Sequence, residues 1–180
     1  MRVLERHSFV EEMAARWGDA LGTAREAYPG HAYRVLNYAR ALIGTERHDD
    51  ELALAAAYHD LGIWSDRTFD YLEPSQQRAE AFRREGAPGI DAELLARLIA
   101  DHHLLRRPRN GIEPALRDAF RRADLVDVSR GTLRAGLPAS FVREVATRFP
   151  YPGFHAVLLR TATRWALRHP LRPLPMVRIR

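Results

Sequence analysis

The residues of this chain that could do chemistry are histidines and aspartates placed where the pattern predicts core. His59 and Asp60 stand together in "AAAYHDLG", at the end of an alanine-rich apolar stretch. Burying such groups is costly unless they are paired or bound to a metal. Imidazole and carboxylate groups together suit Mn, Fe, Co, Ni and Zn, and suit Mg less well. We therefore expect these two side chains to hold a divalent metal ion together with partners from elsewhere in the chain.

The helical register points the candidate groups inward. In "ELALAAAYHD", His59 follows Leu52, Ala55 and Ala56 at helical spacing, which places it on the core-facing stripe. Ionisable residues occupy apolar stripes on three further predicted helices: His31 at a helix start, His102 and His103, and Asp124 with Asp127. A lone histidine of this kind is usually a hydrogen-bonded core residue. One divalent cation could satisfy two histidines and two aspartates from three helices at once, so the pattern as a whole predicts a metal site.

Apolar residues recur at helical spacing along almost the whole chain, whereas alternating strand patterns are scarce. The sequence predicts an all-α, single-domain helical bundle over residues 1–180, with a motif-bearing core at about 25–130. C-terminal helices and an extended, proline-containing tail follow at about 138–180. The predicted helices lie near 8–21, 31–44, 50–62, 75–86, 91–105, 113–130, 138–148 and 154–168. The loop at 66–73 mixes aromatic with acidic residues and is predicted to cover a pocket.

Composition excludes several reaction classes. All 28 positively charged residues are arginine, and there is no cysteine. P-loop lysine, Schiff-base, thiolate and iron–sulfur chemistry are therefore excluded, as is a disulfide framework. The net charge of +5, with arginines in every segment, favours a solvated basic surface over a nucleic-acid partner. With no signal-peptide pattern and no apolar run of ~18 residues, we expect a cytoplasmic protein without a membrane partner. The sequence is compatible with a homodimer.

The order His31, His59-Asp60, Asp124 resembles the H…HD…D signature of the HD-domain superfamily, metal-dependent phosphohydrolases with an all-helical fold. The likeness spans about residues 25–130 and includes "GHAYRV", "AAAYHDLG", "LIADHH" and "RRADLVDVS". The resemblance implies that the metal ligands are His31, His59, Asp60 and Asp124. It also implies hydrolysis of a phosphate ester of a small metabolite or nucleotide.

The chain departs from the family pattern at two places. Many HD nucleotidases look to have a glutamate soon after the HD pair, where this chain has Ile63, Trp64 and Ser65. Members with two metals have extra histidines before the final aspartate, and "EPSQQRAEAF" lacks the first of these. His102 and His103 stand where the second group is found. One tightly held metal with a weak or absent second site is therefore expected, and a diiron oxygenase or a non-catalytic nucleotide- or metal-binding module remain alternatives.

Within a phosphohydrolase, the remaining residues receive expected roles. A metal with four protein ligands keeps positions for water and substrate. Asp60 is expected to be both a metal ligand and a catalytic group. His102 or His103 is the expected proton donor to the leaving group. Asp127 is expected to orient a ligand imidazole or a water molecule. Arginine must recognise the phosphate, and the candidates are Arg34, Arg106 and Arg107. Trp64, Phe69 and Tyr71 could stack on a base or cap the core.

Overall fold

The computed structural model describes residues 1–177, and within them the regular structure is entirely helical, which confirms the all-α class. A short 3₁₀ turn follows the first helix at Gly22–Ala24. The α-helices are α1 Ser8–Leu21, α2 Ala27–Ile43, α3 Asp49–Tyr58, α4 Gly62–Ser65, α5 Leu72–Gly86, α6 Ala92–Asp101, α7 Pro114–Val128, α8 Ala139–Arg148 and α9 Phe154–Arg168. None of the helices in this part of the chain is long and apolar enough to cross a membrane.

Helix α2 lies at the centre of the bundle and packs most extensively against α7 and then α3. It begins at Ala27, one turn before the predicted start at His31, which therefore lies inside the helix rather than at its end. Pro29 does not prevent the early start, because the first turn of a helix has no use for the amide hydrogen that proline lacks. Gly44 ends α2 in the left-handed conformation, with φ of 74°.

The predicted helix at 50–62 is broken at the histidine–aspartate pair. Helix α3 ends at Tyr58, and His59 to Leu61 form a tight turn into the four-residue α4. At Gly62 a Cβ atom would lie 2.7 Å from the carbonyl oxygen of Tyr71, so only glycine fits between this turn and the start of α5. The turn leaves the adjacent side chains of His59 and Asp60 facing one point, with His59 Nε2 3.6 Å from Asp60 Oδ2.

The C-terminal region folds back on the bundle. Met176 is buried against Phe69 and the first turn of α5, and Trp165 of α9 borders the same cluster. The indole Nε1 of Trp165 donates to the carbonyl oxygen of Arg172 across 3.1 Å. The prediction of an extended tail is therefore wrong for residues 169–177, because turns bring Met176 onto an apolar surface. The predicted tail also includes residues 178–180, which lie outside the described residues.

Candidate metal centre

Four side chains from three segments meet in the interior of the bundle. The Nε2 atoms of His31 on α2 and His59 on the α3–α4 turn are 3.0 Å apart. Asp60 Oδ2 lies 3.6 Å from each of these nitrogens. Asp124 Oδ1 on α7 lies 3.8 Å from His31 Nε2 and 3.7 Å from His59 Nε2. Two nitrogens that share one ion at 2.0–2.1 Å are separated by about 3 Å, so the spacing fits a common cation.

The imidazole rings are held in the tautomer that a metal needs. His59 Nδ1 lies 3.0 Å from the carbonyl oxygen of Ala56, and His102 Nδ1 lies 2.7 Å from that of Ile99. A carbonyl oxygen only accepts, so Nδ1 carries the hydrogen in both rings and donates it. Each Nε2 is therefore left with a lone pair directed toward the carboxylates. Fixing of the second ring nitrogen in this way is typical of metal-binding histidines.

Several buried acceptors at this point have no hydrogen-bond partner. They are Asp60 Oδ1, Asp124 Oδ1 and His102 Nε2. A buried polar atom without a partner costs about 1–3 kcal/mol, and these three lie in one cluster. The nitrogen lone pairs and carboxylate oxygens of the cluster are the groups that a divalent cation binds. Few N–H or O–H groups lie near enough to form hydrogen bonds with them instead. The residues present therefore fit a metal ion, and the buried histidine and aspartate groups could hold one.

Asp60 faces ligand-capable groups on both of its oxygens. While Oδ2 faces His31 and His59, Oδ1 lies 3.4 Å from His102 Nε2. His59, Asp60 and His102 form one group whose ligand atoms lie within 4.8 Å of one another, and His102, His103 and Asp124 form another. The geometry thus places His102 with the candidate ligands rather than with the proton donors. A second ion position beside the first is compatible with this arrangement.

Charge balance at the centre follows from these contacts. Burial alone would lower the pKa of His31, but the carboxylates of Asp127 and Asp60 raise it to about 9. Burial opposes ionisation of Asp60, yet the neighbouring imidazoles of His59 and His102 hold its pKa well below its usual value. The pKa of Asp124 is lowered against burial in the same way, with His59 as the main partner. Without a metal, a proton on His31 supplies the positive charge that the buried carboxylates require.

Asp127 lies behind His31, as the sequence predicts for an orienting residue. Its Oδ2 accepts the Nδ1 hydrogen of His31 at 2.6 Å. Burial would raise the pKa of Asp127, but the hydrogen bonds from His31 and Arg34 lower it to about 2. The carboxylate therefore stays charged and fixes both the tautomer and the orientation of the ring.

Arg34 is fully buried and is not free to bind a phosphate, so the expectation of a substrate contact is wrong. Its Nε and Nη2 donate to Asp127 at 2.5 and 3.1 Å. Its Nη1 donates to the carbonyl oxygens of Phe149 and Pro150, and Tyr151 covers the guanidinium face at 3.7 Å. Arg34 thus links the α8–α9 connection to the residue that orients His31.

Tyr71 and His103 form a hydrogen-bonded pair next to the centre, with Tyr71 Oη 2.6 Å from His103 Nε2. His103 is partly exposed, whereas Tyr71 is buried. Burial lowers the pKa of His103 to about 4, so the ring is neutral at neutral pH. Burial and the charge of Asp60 raise the pKa of Tyr71 well above its usual value, so its hydroxyl keeps the hydrogen. The sequence indicated Tyr71 only as a stacking or capping residue.

Aromatic residues close the rest of the site. Phe154, the first residue of α9, stacks on His31 with ring centroids 4.3 Å apart and an interplanar angle of 21°. No local pattern in the sequence indicates this contact. Tyr28 packs against Trp64, and its hydroxyl accepts the backbone N–H of Asp60 at 3.3 Å. Phe69 is buried beside Tyr71, so the 66–73 segment packs on the core instead of standing away from it.

Arg106 lies on a different surface. It lines an open cleft that contains five arginines, Arg97, Arg106, Arg107, Arg109 and Arg117. The residues described as lining this cleft include none of the four candidate metal ligands. Asp118 lies 3.7 Å from Arg107 Nε, and Asp101 binds Arg117 in a buried ion pair. The structure therefore leaves Arg106 exposed but does not bring it into the metal centre.

Comparison of the chain with protein-family models, curated proteins and solved structures gave no match. The geometry of the site is therefore the guide to its function.

Proposed function

We propose that this chain is a metal-dependent phosphohydrolase of the HD-domain type. Its substrate would be a phosphate ester of a small metabolite or nucleotide. The observation that supports this proposal is the buried acceptor cluster in which His31, His59, Asp60 and Asp124 converge with their lone pairs facing one another. Such a cluster fits a divalent transition metal, with Mn, Fe, Co, Ni or Zn preferred to Mg because two of the four ligands are imidazoles.

A divalent cation held there would supply Lewis acidity, which polarises a phosphoryl oxygen and acidifies a water molecule. The protein's own contribution is to fix the donor atoms before the metal arrives. Asp127 and the carbonyl oxygens of Ala56 and Ile99 set the tautomers of three rings. Asp60 presents one oxygen to each side of the centre, so it can bind a cation and still contact a second group.

The partly exposed His103 and its partner Tyr71 are the groups best placed to meet a leaving oxygen. Tyr71 keeps its hydrogen at neutral pH and donates a hydrogen bond, while neutral His103 accepts it across 2.6 Å. We assign this pair to proton transfer toward the leaving group, and His102 to the ligand shell. The two adjacent histidines receive different roles because only His103 is partly exposed. His102 is buried, and its Nδ1 donates to the carbonyl oxygen of Ile99.

A diiron oxygenase on the same scaffold is the second candidate. The position of His102 beside Asp60 Oδ1 favours it, since His102 and Asp60 would be available to hold a second ion. The missing histidine in "EPSQQRAEAF" argues against it. Two irons per chain with a mixed-valence signal in electron paramagnetic resonance would support the oxygenase.

The test is a hydrolysis screen with defined metals. Metal-free protein is reloaded separately with Mn, Fe, Co, Ni, Zn and Mg and incubated with phosphate monoesters and diesters. We expect phosphate release with at least one transition metal, no release from Asp60→Ala, and full release from Asp118→Asn. Asp118 is a matched control because it is a buried carboxylate on α7 whose partner is Arg121. A metal-loaded protein that binds nucleotides tightly and hydrolyses none would overturn the proposal in favour of a binding module.

A further inference from the structure

The positive charge of the chain is concentrated at its C-terminal end. Residues 145–180 contain seven of the 28 arginines and none of the 23 acidic residues. The net charge of +5 is therefore due to this segment, and the preceding part of the chain is slightly acidic. Such an asymmetry indicates a surface that binds a polyanion or an anionic membrane.

Helix α9 lies within this segment, contains three of its seven arginines and has two different faces. Its inner face packs on the body through Phe154, Leu158, Ala162 and Trp165. Its outer face exposes two leucines, Leu159 at 70% and Leu167 at 79%. Leu171, just beyond the helix, is fully exposed. Large exposed apolar side chains on an outer helix face are typical of a surface that binds a membrane or another protein.

A row of arginines runs beside the exposed leucines. Arg160, Arg164 and Arg168 follow one another at four-residue spacing and are all exposed. None of the three forms an ion pair within the described part of the chain, whereas Arg172 lies 3.5 Å from Asp70. Helix α9 itself contains no acidic residue. The outer face therefore consists of a row with exposed leucines beside a row of arginines that have no acidic partner within the described residues.

We propose that this outer face, Leu159, Arg160, Arg164, Leu167 and Arg168, docks on the surface of an anionic lipid membrane. Leucines can enter the boundary of the acyl chains while arginines remain among the phosphate groups. Docking of this kind needs no spanning helix, so the proposal replaces the expectation of no membrane partner. Each arginine near an anionic bilayer strengthens binding by about fivefold.

Two other occupants fit the face less well. A second copy of the chain would cover the leucines but would bring two rows of unpaired guanidinium groups together, which is unfavourable. A nucleic acid would pair with the arginines but would leave Leu159 and Leu167 in water. A surface of anionic lipid satisfies both rows.

The test is flotation with lipid vesicles, with intact protein. Vesicles of phosphatidylglycerol and phosphatidylcholine in equal parts are compared with vesicles of phosphatidylcholine alone. We expect binding to the anionic vesicles only. The variant Arg160→Gln/Arg164→Gln/Arg168→Gln should weaken binding by about a hundredfold, and Leu159→Ser/Leu167→Ser by at least about tenfold. Circular dichroism should show unchanged helix content, because all five side chains are exposed.

Matched variants separate a specific face from bulk charge. Arg2→Gln/Arg47→Gln/Arg134→Gln removes the same charge at exposed positions elsewhere, and Leu125→Ser/Leu133→Ser removes two partly exposed leucines of α7 and its following loop. Both controls should bind the anionic vesicles as the unmodified chain does. Failure of the unmodified chain to bind, or equal weakening by the controls, would overturn the proposal. Binding to duplex DNA or RNA that the leucine substitutions leave unchanged would overturn it as well. So would a dimer of the unmodified chain that Leu159→Ser/Leu167→Ser converts to a monomer.

Discussion

His31 donates its Nδ1 hydrogen to Asp127 across 2.6 Å, and Arg34 holds the same carboxylate through two further hydrogen bonds. One candidate ligand is thereby fixed by a fully buried pair of charges. Because Arg34 also binds the carbonyl oxygens of Phe149 and Pro150, the orientation of this ring depends on the connection between α8 and α9.

Replacement of Asp127 by asparagine should weaken metal binding by about 10–100-fold, because the amide cannot hold the Nδ1 hydrogen of His31 as a carboxylate does. Affinity is measured by competition with a chelating dye. Asp118→Asn, which alters a buried carboxylate paired with Arg121, should leave the affinity unchanged. Equal affinities for the two variants would show that Asp127 does not orient the ligand.

Removal of Arg34 should act on stability rather than on substrate binding. Arg34→Met leaves the Asp127 charge buried without one of its two partners, so the free energy of unfolding should fall by about 3–5 kcal/mol. Urea unfolding of the metal-free protein measures this. Arg84→Met, at an exposed residue paired with Glu80, should change it by less than about 0.5 kcal/mol. A normal stability with a raised KM would instead return Arg34 to the substrate site.

Metal affinity should depend on pH through His31. With a pKa of about 9 in the metal-free protein, this ring carries an extra proton at neutral pH, and a cation must displace it. The apparent affinity should therefore rise about tenfold per pH unit between roughly pH 7 and pH 9 and level off above that range. Titration calorimetry in two buffers of different ionisation heat should show release of a proton. A pH-independent affinity over this range would contradict the charge balance described for the centre.

Gly62→Ala should destabilise the protein, although alanine normally favours a helix over glycine. The new Cβ would lie 2.7 Å from Tyr71 O and 3.0 Å from Pro74 Cβ, so the turn that carries His59 and Asp60 must shift. We expect a loss of about 1–3 kcal/mol in thermal or urea unfolding. Gly89→Ala, where a Cβ meets no atom within 4 Å, should be neutral. A Gly62→Ala protein of unchanged stability would mean that the turn tolerates the shift.

Helical periodicity was sufficient for the fold class and for the inward direction of several side chains. The spacing of His59 from Leu52 and Ala55 predicted burial, and the structure confirms it with His59 fully buried. Asp124 and Asp127 were placed inward by the same argument, and both are buried. The pattern carries this information because residues one turn apart share a face of a helix.

Periodicity could not show contacts that depend on distant segments. Arg34 was expected to recognise phosphate, but Asp127 and the Phe149 carbonyl, each more than ninety residues away in sequence, hold it in the interior. The break at His59 was hidden because Leu61 and Ile63 continue the apolar run. Stacking of Phe154 on His31 depends on how α9 docks, which no local spacing encodes.

The most direct test of the central claim is the metal stoichiometry of the chain. Metal-free protein is titrated with Co²⁺, and binding is followed by visible absorption and elemental analysis. We predict about one tightly bound ion per chain. His59→Asn should lose this ion while keeping its helix content. The control His48→Asn, whose ring lies near Glu51 and Glu113, should retain it. No stoichiometric binding, or equal binding by His59→Asn and His48→Asn, would contradict the assignment of this cluster as a metal centre.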